Sequence, residues 1–177
     1  MQEFVDTLNS IIWSNALIFL ALGAGLFFSI QTRFLQVRLL REMVRLIFSG
    51  KSSEKGISTF QALSVSLSGR VGTGNIAGVA AAIAFGGPGA VFWMWIVAFF
   101  GASTAYVEST LGQIYKEEDK GQYRGGPAYY IEKAMGAKWY AISFAIITII
   151  ATGMLLPGVQ ANAIGNAVVE ALGEGSI

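Results

Sequence analysis

The sequence contains no cysteine and no histidine. Their absence excludes disulfide bonds, thiolate nucleophiles, zinc sites built on these residues and proton relays through imidazole. Any bound cation must therefore be held by oxygen atoms. Charged residues are also scarce, at 13% against roughly 25% in an ordinary soluble domain. With 54% hydrophobic residues and a mean hydropathy of +0.57, the composition is typical of a membrane protein.

The few charges are sorted by position, so the net charge of +1 gives no information about partners. Of the 12 basic residues, six lie between positions 33 and 55 and five between 116 and 138, which leaves Arg70 alone in an apolar region. Because loops on the cytoplasmic side of a membrane carry the excess of Lys and Arg, both basic loops are predicted to be cytoplasmic. The N-terminus, with Glu3 and Asp6, is then predicted to lie outside.

Four apolar segments alternate with these loops, and each is long enough to predict a transmembrane helix of about 20 residues. They cover residues 7–32, 57–85, 90–114 and 139–168. A signal peptide is the alternative for the first segment, but a signal peptide needs a basic start and a shorter apolar core. This start is acidic, which favours a retained helix.

Two stretches between the spans are amphipathic. Residues 33–50 place apolar residues at helical spacing between arginines and predict a helix along the inner membrane surface. Residues 115–138 predict a solvated cytoplasmic loop that ends in a second amphipathic segment, Pro127–Met135.

Glycines and a lone arginine interrupt the second span, in the run SVSLSGRVGTGNIAG at residues 64–78. Irregular backbone at membrane depth is tolerated only where it is buried in protein or lines a polar cavity, and such broken helices hold substrate and coupling ion in many secondary transporters. Free carbonyls end the first half and free N–H groups begin the second. Carbonyls around residues 68–71, with oxygens of Ser68, Thr73 and Asn75, suit sodium, and the N–H groups suit an anionic head group.

Two other interpretations of this run are weaker. Gly72–Ala77 satisfies the G-x-G-x-x-G/A dinucleotide fingerprint, but no acidic residue follows about 20 positions on, as that fingerprint requires. Gly74 and Gly78 have the spacing of a packed helix interface. Packing alone does not explain the neighbouring polar and charged side chains, which favour a binding site.

Several separated motifs occur in the order found in the alanine or glycine:cation symporter family, which the chain resembles along nearly its whole length. They lie at Val65–Ala80, Ala84–Ala90, Tyr106–Leu111, Tyr123–Tyr130 and Gly158–Asn162. The resemblance implies a leucine-transporter-type fold, in which two inverted five-helix repeats surround a substrate at the membrane midplane. It also implies sodium-coupled uptake of alanine, glycine or a similar small neutral amino acid across a prokaryotic plasma membrane, with no other cofactor and no nucleic acid partner.

The resemblance also implies roles for particular residues. The broken first core helix falls at residues 57–85, preceded by an additional helix at 7–32. The backbone amides of Thr73 and Gly74 are expected to receive the substrate carboxylate, and Asn75 with the carbonyls of Gly69 and Val71 is expected to bind sodium. Gln160, on the third core helix, is expected to face the substrate, with a hydrogen bond between helices as its alternative.

Two charged residues lie in or near the spans. Arg70 needs a carboxylate or a set of carbonyls beside it, and it is predicted to form a structural or gating ion pair. Glu108 lies near the inner end of its span and is predicted to reach the headgroup region, with a buried pair or a gating role as the alternative.

These observations predict an all-α, polytopic membrane protein that forms a single transmembrane domain over residues 1–177. A complete symporter of this family is more than twice as long, so we expect a partial inverted-repeat transporter that lacks its C-terminal half. The alternative is a small non-transporting or channel-like membrane subunit that acts as an oligomer. An enzyme is disfavoured, because Glu108 has no second carboxylate nearby in sequence with which to form an acid-base pair. Membrane lipid, sodium and a small neutral amino acid are the expected partners.

Overall fold

The computed structural model describes residues 2–49 and 56–173, and within these ranges the chain is mostly helical. The first part contains α1 (Gln2–Ile12), α2 (Asn15–Gln31), α3 (Leu35–Arg38), α4 (Leu40–Ser49), α5 (Thr59–Ser68), a 3₁₀ turn (Thr73–Asn75) and α6 (Ala77–Gly86). The second part contains α7 (Gly89–Ile114), β1 (Glu117–Asp119), β2 (Gln122–Arg124), α8 (Pro127–Met135), α9 (Lys138–Ile150), a π-helical turn (Ala151–Leu155) and α10 (Leu156–Leu172).

Three helical stretches within the described residues are long and apolar enough to cross a membrane, namely Glu3–Gln31, Gly89–Ile114 and Lys138–Leu172. They overlap the predicted spans at 7–32, 90–114 and 139–168. The remaining predicted span, 57–85, holds two shorter helices, α5 and α6, and its apolar stretch Thr73–Gly86 is too short to be counted with the other three. The chain is thus a mostly helical, polytopic membrane protein.

Most large apolar side chains point outward. Among the described residues, the buried hydrophobic side chains are Leu35, Ile131 and Ala141. Helices that cross a bilayer present apolar surface to lipid rather than to a protein core, so this outward-facing apolar surface is expected of spanning helices.

The additional helix α2 packs against α7 through small residues. A Cβ at position 25 would lie 2.8 Å from the Cβ of Phe100, so glycine at this position permits the close approach. One turn further along α2, the fully buried Ser29 donates to Ser103 Oγ at 3.1 Å, and Ser103 donates to the carbonyl of Gly25 at 2.8 Å. Small residues and hydroxyl hydrogen bonds are the usual means by which membrane helices associate.

The long C-terminal helix contains a local irregularity before Pro157. Proline has no N–H to donate to the carbonyl four residues earlier. The helix widens into the π-helical turn Ala151–Leu155 just before this proline and then continues as α10. Such a turn is one way in which a helix accommodates a disrupted hydrogen-bond ladder.

The predicted amphipathic helix at 33–50 is two helices in the structure, α3 and α4, with Leu39 between them. Position 50 lies outside the described residues. Arg33 and Phe34, with φ of 52° and 51°, turn the chain out of α2. Because left-handed residues cannot continue a right-handed helix, the amphipathic segment begins only at Leu35.

The predicted loop at 115–138 contains a β-hairpin, which the sequence analysis missed. In its antiparallel pair Glu117 lies opposite Arg124. Lys120 and Gly121, with φ of 52° and 79°, form the connection, and positive φ at both central residues is the requirement of a type I′ turn. An ion pair of 3.0 Å between Arg124 and Asp119 links the two strands.

The hairpin is also tied to α7 and α8. Lys133 of α8 forms an ion pair with Glu117 at 2.9 Å and donates to the carbonyl of Tyr115 at 3.2 Å. A Cβ at position 125 would lie 2.8 Å from the carbonyl oxygen of Gly112, so glycine lets the end of the hairpin lie directly on α7. This segment is therefore an ordered part of the protein.

Candidate functional site

The helix is interrupted between α5 and α6. Ser58 begins α5 with a capping box, in which its Oγ accepts from Gln61 N–H at 3.2 Å and its own N–H donates to Gln61 Oε1 at 2.9 Å. At the other end Arg70 and Val71 both donate to the carbonyl of Leu67 at 3.1 Å, after which Gly72 is fully extended. The extended residue ends the helix, and the chain resumes as the 3₁₀ turn.

Backbone groups of both signs are free at this interruption. Among the described residues, no backbone N–H donates to the carbonyls of Gly69 and Val71, and the N–H groups of Thr73 and Gly74 donate to no backbone carbonyl. Free carbonyls carry partial negative charge and free N–H groups carry partial positive charge. The break therefore contains oxygen ligands for a cation and donors for an anion within the six residues 69–74.

Asn75 makes a contact with its own backbone turn, in addition to the role expected from the sequence. Its Oδ1 accepts a hydrogen bond from the N–H of Gly72 at 2.9 Å, and its own N–H donates to the carbonyl of Gly72 at 3.1 Å. Asn75 thus closes the turn that forms the break. An amide oxygen has two lone pairs, so the same atom retains one for a cation. The local tendency of asparagine to bond to its own backbone was the signal that could have predicted this turn.

Gln160 of α10 lies against the break. A Cβ at position 72 would lie 3.3 Å from Gln160 Nε2 and 3.7 Å from its Cδ. The backbone of Gly72 is extended, with φ of −153°, and any residue adopts that conformation. Glycine at this position leaves room for the Gln160 amide, and α10 contacts the 3₁₀ turn Thr73–Asn75.

Arg70 and Glu108 line one cavity of about 790 Å³. Its other walls come from the start of α5, the last turns of α7, and the hairpin with its exit to α8. Among the ion pairs between described residues there is none that joins Arg70 to Glu108. The two charges therefore face a common space without touching each other.

Glu108 acts electrostatically on α8. Burial raises the pKa of Tyr130 above its ordinary value of 10.0, and the negative charge of Glu108 raises that pKa further, with a smaller effect from Tyr140. Glu108 and Pro127, the first residue of α8, line the same cavity.

Residues 1–176 match the sequence profile of the sodium:alanine symporter family. The chain belongs to this family. The resemblance inferred from the separated motifs is therefore confirmed, and it extends to the N-terminal residues that precede the first of those motifs.

Three curated proteins are similar to this chain over nearly its whole length. A Bacillus subtilis protein, YrbD, provisionally named a sodium/proton-dependent alanine carrier, is 63% identical over 98% of the chain. GlnT of the same organism, provisionally named a sodium/glutamine symporter, is 46% identical over 98%. The sodium/alanine symporter AgcS of Methanococcus maripaludis is 40% identical over 97%. The chain spans 36%, 37% and 40% of the lengths of these three proteins.

Within this family member, the structure brings most of the expected site residues together. Gly69, Val71, Thr73, Gly74 and Asn75 lie in the break, and Gln160 joins them from α10. Arg70 and Glu108 are apart from that cluster and share the larger cavity instead. Gly72 was not among the expected site residues, because its contact is with Gln160, which is far away in sequence.

Proposed function

We propose that this chain supplies the first broken helix of a sodium-coupled symporter for a small neutral amino acid. The observation that carries the proposal is the juxtaposition of the free carbonyls of Gly69 and Val71 with the free N–H groups of Thr73 and Gly74. Broken helices with this polarity bind ions and anionic substrate groups in secondary transporters.

Sodium is proposed to bind to the carbonyls of Gly69 and Val71 and to Asn75 Oδ1. Hard cations prefer such oxygen ligands. Among the described residues no group of three or more acidic side chains could hold a metal ion. The proposed sodium site therefore uses neutral oxygens, and further ligands would have to come from the substrate or from elsewhere in the transporter.

The substrate carboxylate is proposed to accept hydrogen bonds from the N–H groups of Thr73 and Gly74, with Gln160 beside it. Anions bind well at a helix start, where N–H groups converge and the dipole favours negative charge. Because the carboxylate would then lie next to the sodium, each ligand favours the other. By linkage the two affinities must change together.

The names of two relatives refer to alanine, and the name of the third refers to glutamine. We propose alanine or glycine as the substrate of the symporter to which this chain belongs. We further propose a prokaryotic plasma membrane location with the N-terminus outside, because 11 of the 12 basic residues fall in the two loops assigned to the inside.

Arg70 and Glu108 are proposed to form an inner gate. Both line the cavity between the break and the hairpin, on the side that the charge distribution assigns to the cytoplasm. Opposite charges that face one cavity without contact attract more strongly as water leaves. Closure of this cavity would bring them together and separate the break from the inside.

The proposal is tested by exchange of segments. The matched segment of the Bacillus subtilis relative, 63% identical over 173 residues, is replaced by this chain, and uptake of radiolabelled alanine and glycine is measured with and without a sodium gradient. Sodium-dependent uptake above that of vesicles without transporter is expected. If the uptake rate of a correctly inserted chimera is the same with and without a sodium gradient, sodium coupling is contradicted.

A further inference from the structure

A second cavity lies at the end of α2, and neither the proposed substrate site nor the inner gate includes it. It has a volume of about 320 Å³ and is bounded by the end of α2, by α3 and by Tyr106 of α7. Two arginines, Arg33 and Arg38, line it, and no acidic residue is among its lining residues. A small cavity with two cations and no carboxylate is suited to an anion.

The two guanidinium groups have no acidic partner among the described residues. Arg45 is paired with Glu42 at 2.7 Å and Arg124 with Asp119 at 3.0 Å, whereas Arg41 of α4, which lies outside the cavity, has no acidic partner among the described residues either. Arg38 makes one long contact, from its Nη2 to the carbonyl of Thr32 at 3.5 Å. Guanidinium groups bind phosphate oxygens through paired hydrogen bonds, which makes phosphate a suitable anion.

The end of α2 would ordinarily repel an anion, because free carbonyls carry negative partial charge at a helix C-terminus. Here internal donors occupy three of the last four carbonyls of α2. Phe34 N–H donates to the carbonyl of Ser29 at 2.7 Å, and Arg33 N–H donates to the carbonyl of Ile30 at 2.9 Å. The hydroxyl of Thr32 donates to the carbonyl of Phe28 at 2.7 Å. The cavity thus keeps its positive side chains while the carbonyls of Phe28, Ser29 and Ile30 are satisfied, which leaves the carbonyl of Gln31 as the last one of α2 without a backbone donor among the described residues.

Arg33 occupies a backbone position that favours glycine. The two backbone bonds that close α2 form the motif in which the residue after the helix is left-handed, and glycine is usual there. Arg33 has φ of 52°. Residues held in sparsely populated backbone conformations are concentrated at ligand sites, and Arg33 lines the cavity from this left-handed turn.

A buried hydrogen-bond chain holds the walls in place. Gln36 of α3 donates to Ser29 Oγ of α2 at 3.0 Å, and Ser29 donates to Ser103 of α7 at 3.1 Å. Leu35, at 2% exposure, is packed beneath the same turn. The three elements that form the cavity are therefore fixed relative to one another before any ligand binds, which lowers the entropy lost on binding.

The surroundings of the cavity favour the phosphate of a lipid over a free phosphate. The cavity lies where the apolar helix α2 ends and the amphipathic helix α4 is about to begin, with Phe34 and Leu40 exposed beside it. Basic pockets between membrane helices on the cytoplasmic side bind anionic lipid head groups. We propose that this cavity binds the phosphate of an anionic phospholipid, with Arg33 and Arg38 as its ligands and the exposed apolar side chains against its acyl chains.

The proposal is tested on the purified chain in detergent by native mass spectrometry with phosphatidylglycerol or phosphatidylcholine. Retention of one phosphatidylglycerol with about thirtyfold preference is expected if each arginine contributes about 1 kcal/mol. Glycerol 1-phosphate, which has the head group without acyl chains, is added as competitor. Displacement of the lipid by an equal concentration of glycerol 1-phosphate would overturn the lipid assignment in favour of a soluble phosphate.

The variant Arg33→Asn/Arg38→Gln removes both proposed ligands, and asparagine is chosen because it tolerates the left-handed conformation. Arg41→Gln/Arg45→Gln is the matched control, since it removes the same charge from α4 outside the cavity. The preference for phosphatidylglycerol is expected to disappear in the first variant and to persist in the control. The proposal is overturned if both double variants lose the preference for phosphatidylglycerol equally, or if Arg33→Asn/Arg38→Gln keeps it. If the double variant loses helicity, Arg38→Gln alone is used in its place, because it leaves the turn at Arg33 intact. Its preference for phosphatidylglycerol is expected to be lower than that of the unaltered chain.

Discussion

The side-chain amide of Gln160 lies directly against Gly72, so that a Cβ at position 72 would be 3.3 Å from Gln160 Nε2. The two residues are far apart in the sequence, yet this contact places a polar side chain of α10 at the break between α5 and α6. Glycine at position 72 leaves the space that the amide occupies.

Replacement of Gly72 is expected to act through Gln160. Gly72→Ala is expected to weaken substrate binding a few-fold, because a flexible amide can shift by a few tenths of an ångström, and Gly72→Val is expected to weaken it more, because overpacking costs about 1 to 3 kcal/mol. Gly78→Ala, where a Cβ would have nothing within 4 Å, is the control. The measurement is substrate affinity in the exchange chimera. If Gly72→Ala lowers affinity as much in a Gln160→Ala background as in the wild type, the two residues do not act together.

Thr73→Pro tests the proposed carboxylate donor. Proline removes the N–H of residue 73, and it is tolerated in a first helical turn, while the preceding Gly72 already has the extended conformation that proline requires. Loss of one hydrogen bond to a charged group is expected to cost about 1.5 to 3 kcal/mol, about ten- to a hundredfold in substrate affinity.

Two controls separate the N–H from other effects of that change. Thr73→Val removes the hydroxyl and keeps the N–H, so substrate affinity is expected to change much less than with proline. Thr59→Pro makes the same backbone change at the first residue of α5, after the extended Ser58. Equal losses from Thr73→Pro and Thr59→Pro would indicate a general structural effect instead of a lost donor.

Asn75→Ala is expected to lower sodium affinity and substrate affinity together. The change removes a proposed sodium ligand and the acceptor that holds the N–H of Gly72 at 2.9 Å, and linkage requires coupled losses. Asn75→Asp keeps an oxygen for both contacts and is expected to retain sodium dependence. The measurement is substrate affinity across a sodium titration. Weaker substrate binding with an unchanged sodium dependence in Asn75→Ala would assign this residue to the turn alone.

Gly25→Ala is expected to destabilise the contact between α2 and α7 by about 1 to 3 kcal/mol. The new Cβ would lie 2.8 Å from the Cβ of Phe100 and 3.1 Å from its carbonyl oxygen, so the helix backbones must separate. Gly23→Ala, on the same helix with nothing within 4 Å, is the control. It is expected to stabilise the helix by about 0.5 to 1 kcal/mol. Thermal unfolding of the purified protein measures both, and equal shifts in the same direction would refute the proposed contact.

Glu108→Gln is expected to lower the pKa of Tyr130, because the carboxylate charge is one cause of its elevation after burial. Ultraviolet titration of tyrosinate measures the change, Tyr130→Phe assigns the signal, and Glu170→Gln is the control for loss of a distant charge. Since the folded pKa lies above 10.0, the neutral phenol stabilises the fold below that pH. This contribution is lost as the pH rises through the folded pKa. An unchanged titration of Tyr130 in Glu108→Gln would show that the carboxylate is not near the phenol.

The family and the membrane character were predictable from the sequence because both depend on local features. Apolar runs of sufficient length predict spanning helices, and ordered motifs indicated the family that the sequence profile confirms. The roles of Thr73, Gly74, Asn75 and Gln160 in binding stay predictions that the experiments above address. The β-hairpin was missed because its turn, Lys120–Gly121, lacks the usual Asn-Gly or Asp-Gly signal and its strands have three residues each.

The sequence by itself determined where the backbone changes direction. Glycines at 69, 72 and 74 interrupt an apolar run, and the local hydrogen bond between Gly72 N–H and Asn75 Oδ1 closes the turn there. Only the tertiary structure decided which distant side chains meet there. Gln160 reaches Gly72, Arg70 and Glu108 share a cavity, and Tyr106 completes a pocket with Arg33 and Arg38. These associations depend on how the helices pack against one another, and packing depends on the shapes of whole helix faces, which no local pattern records.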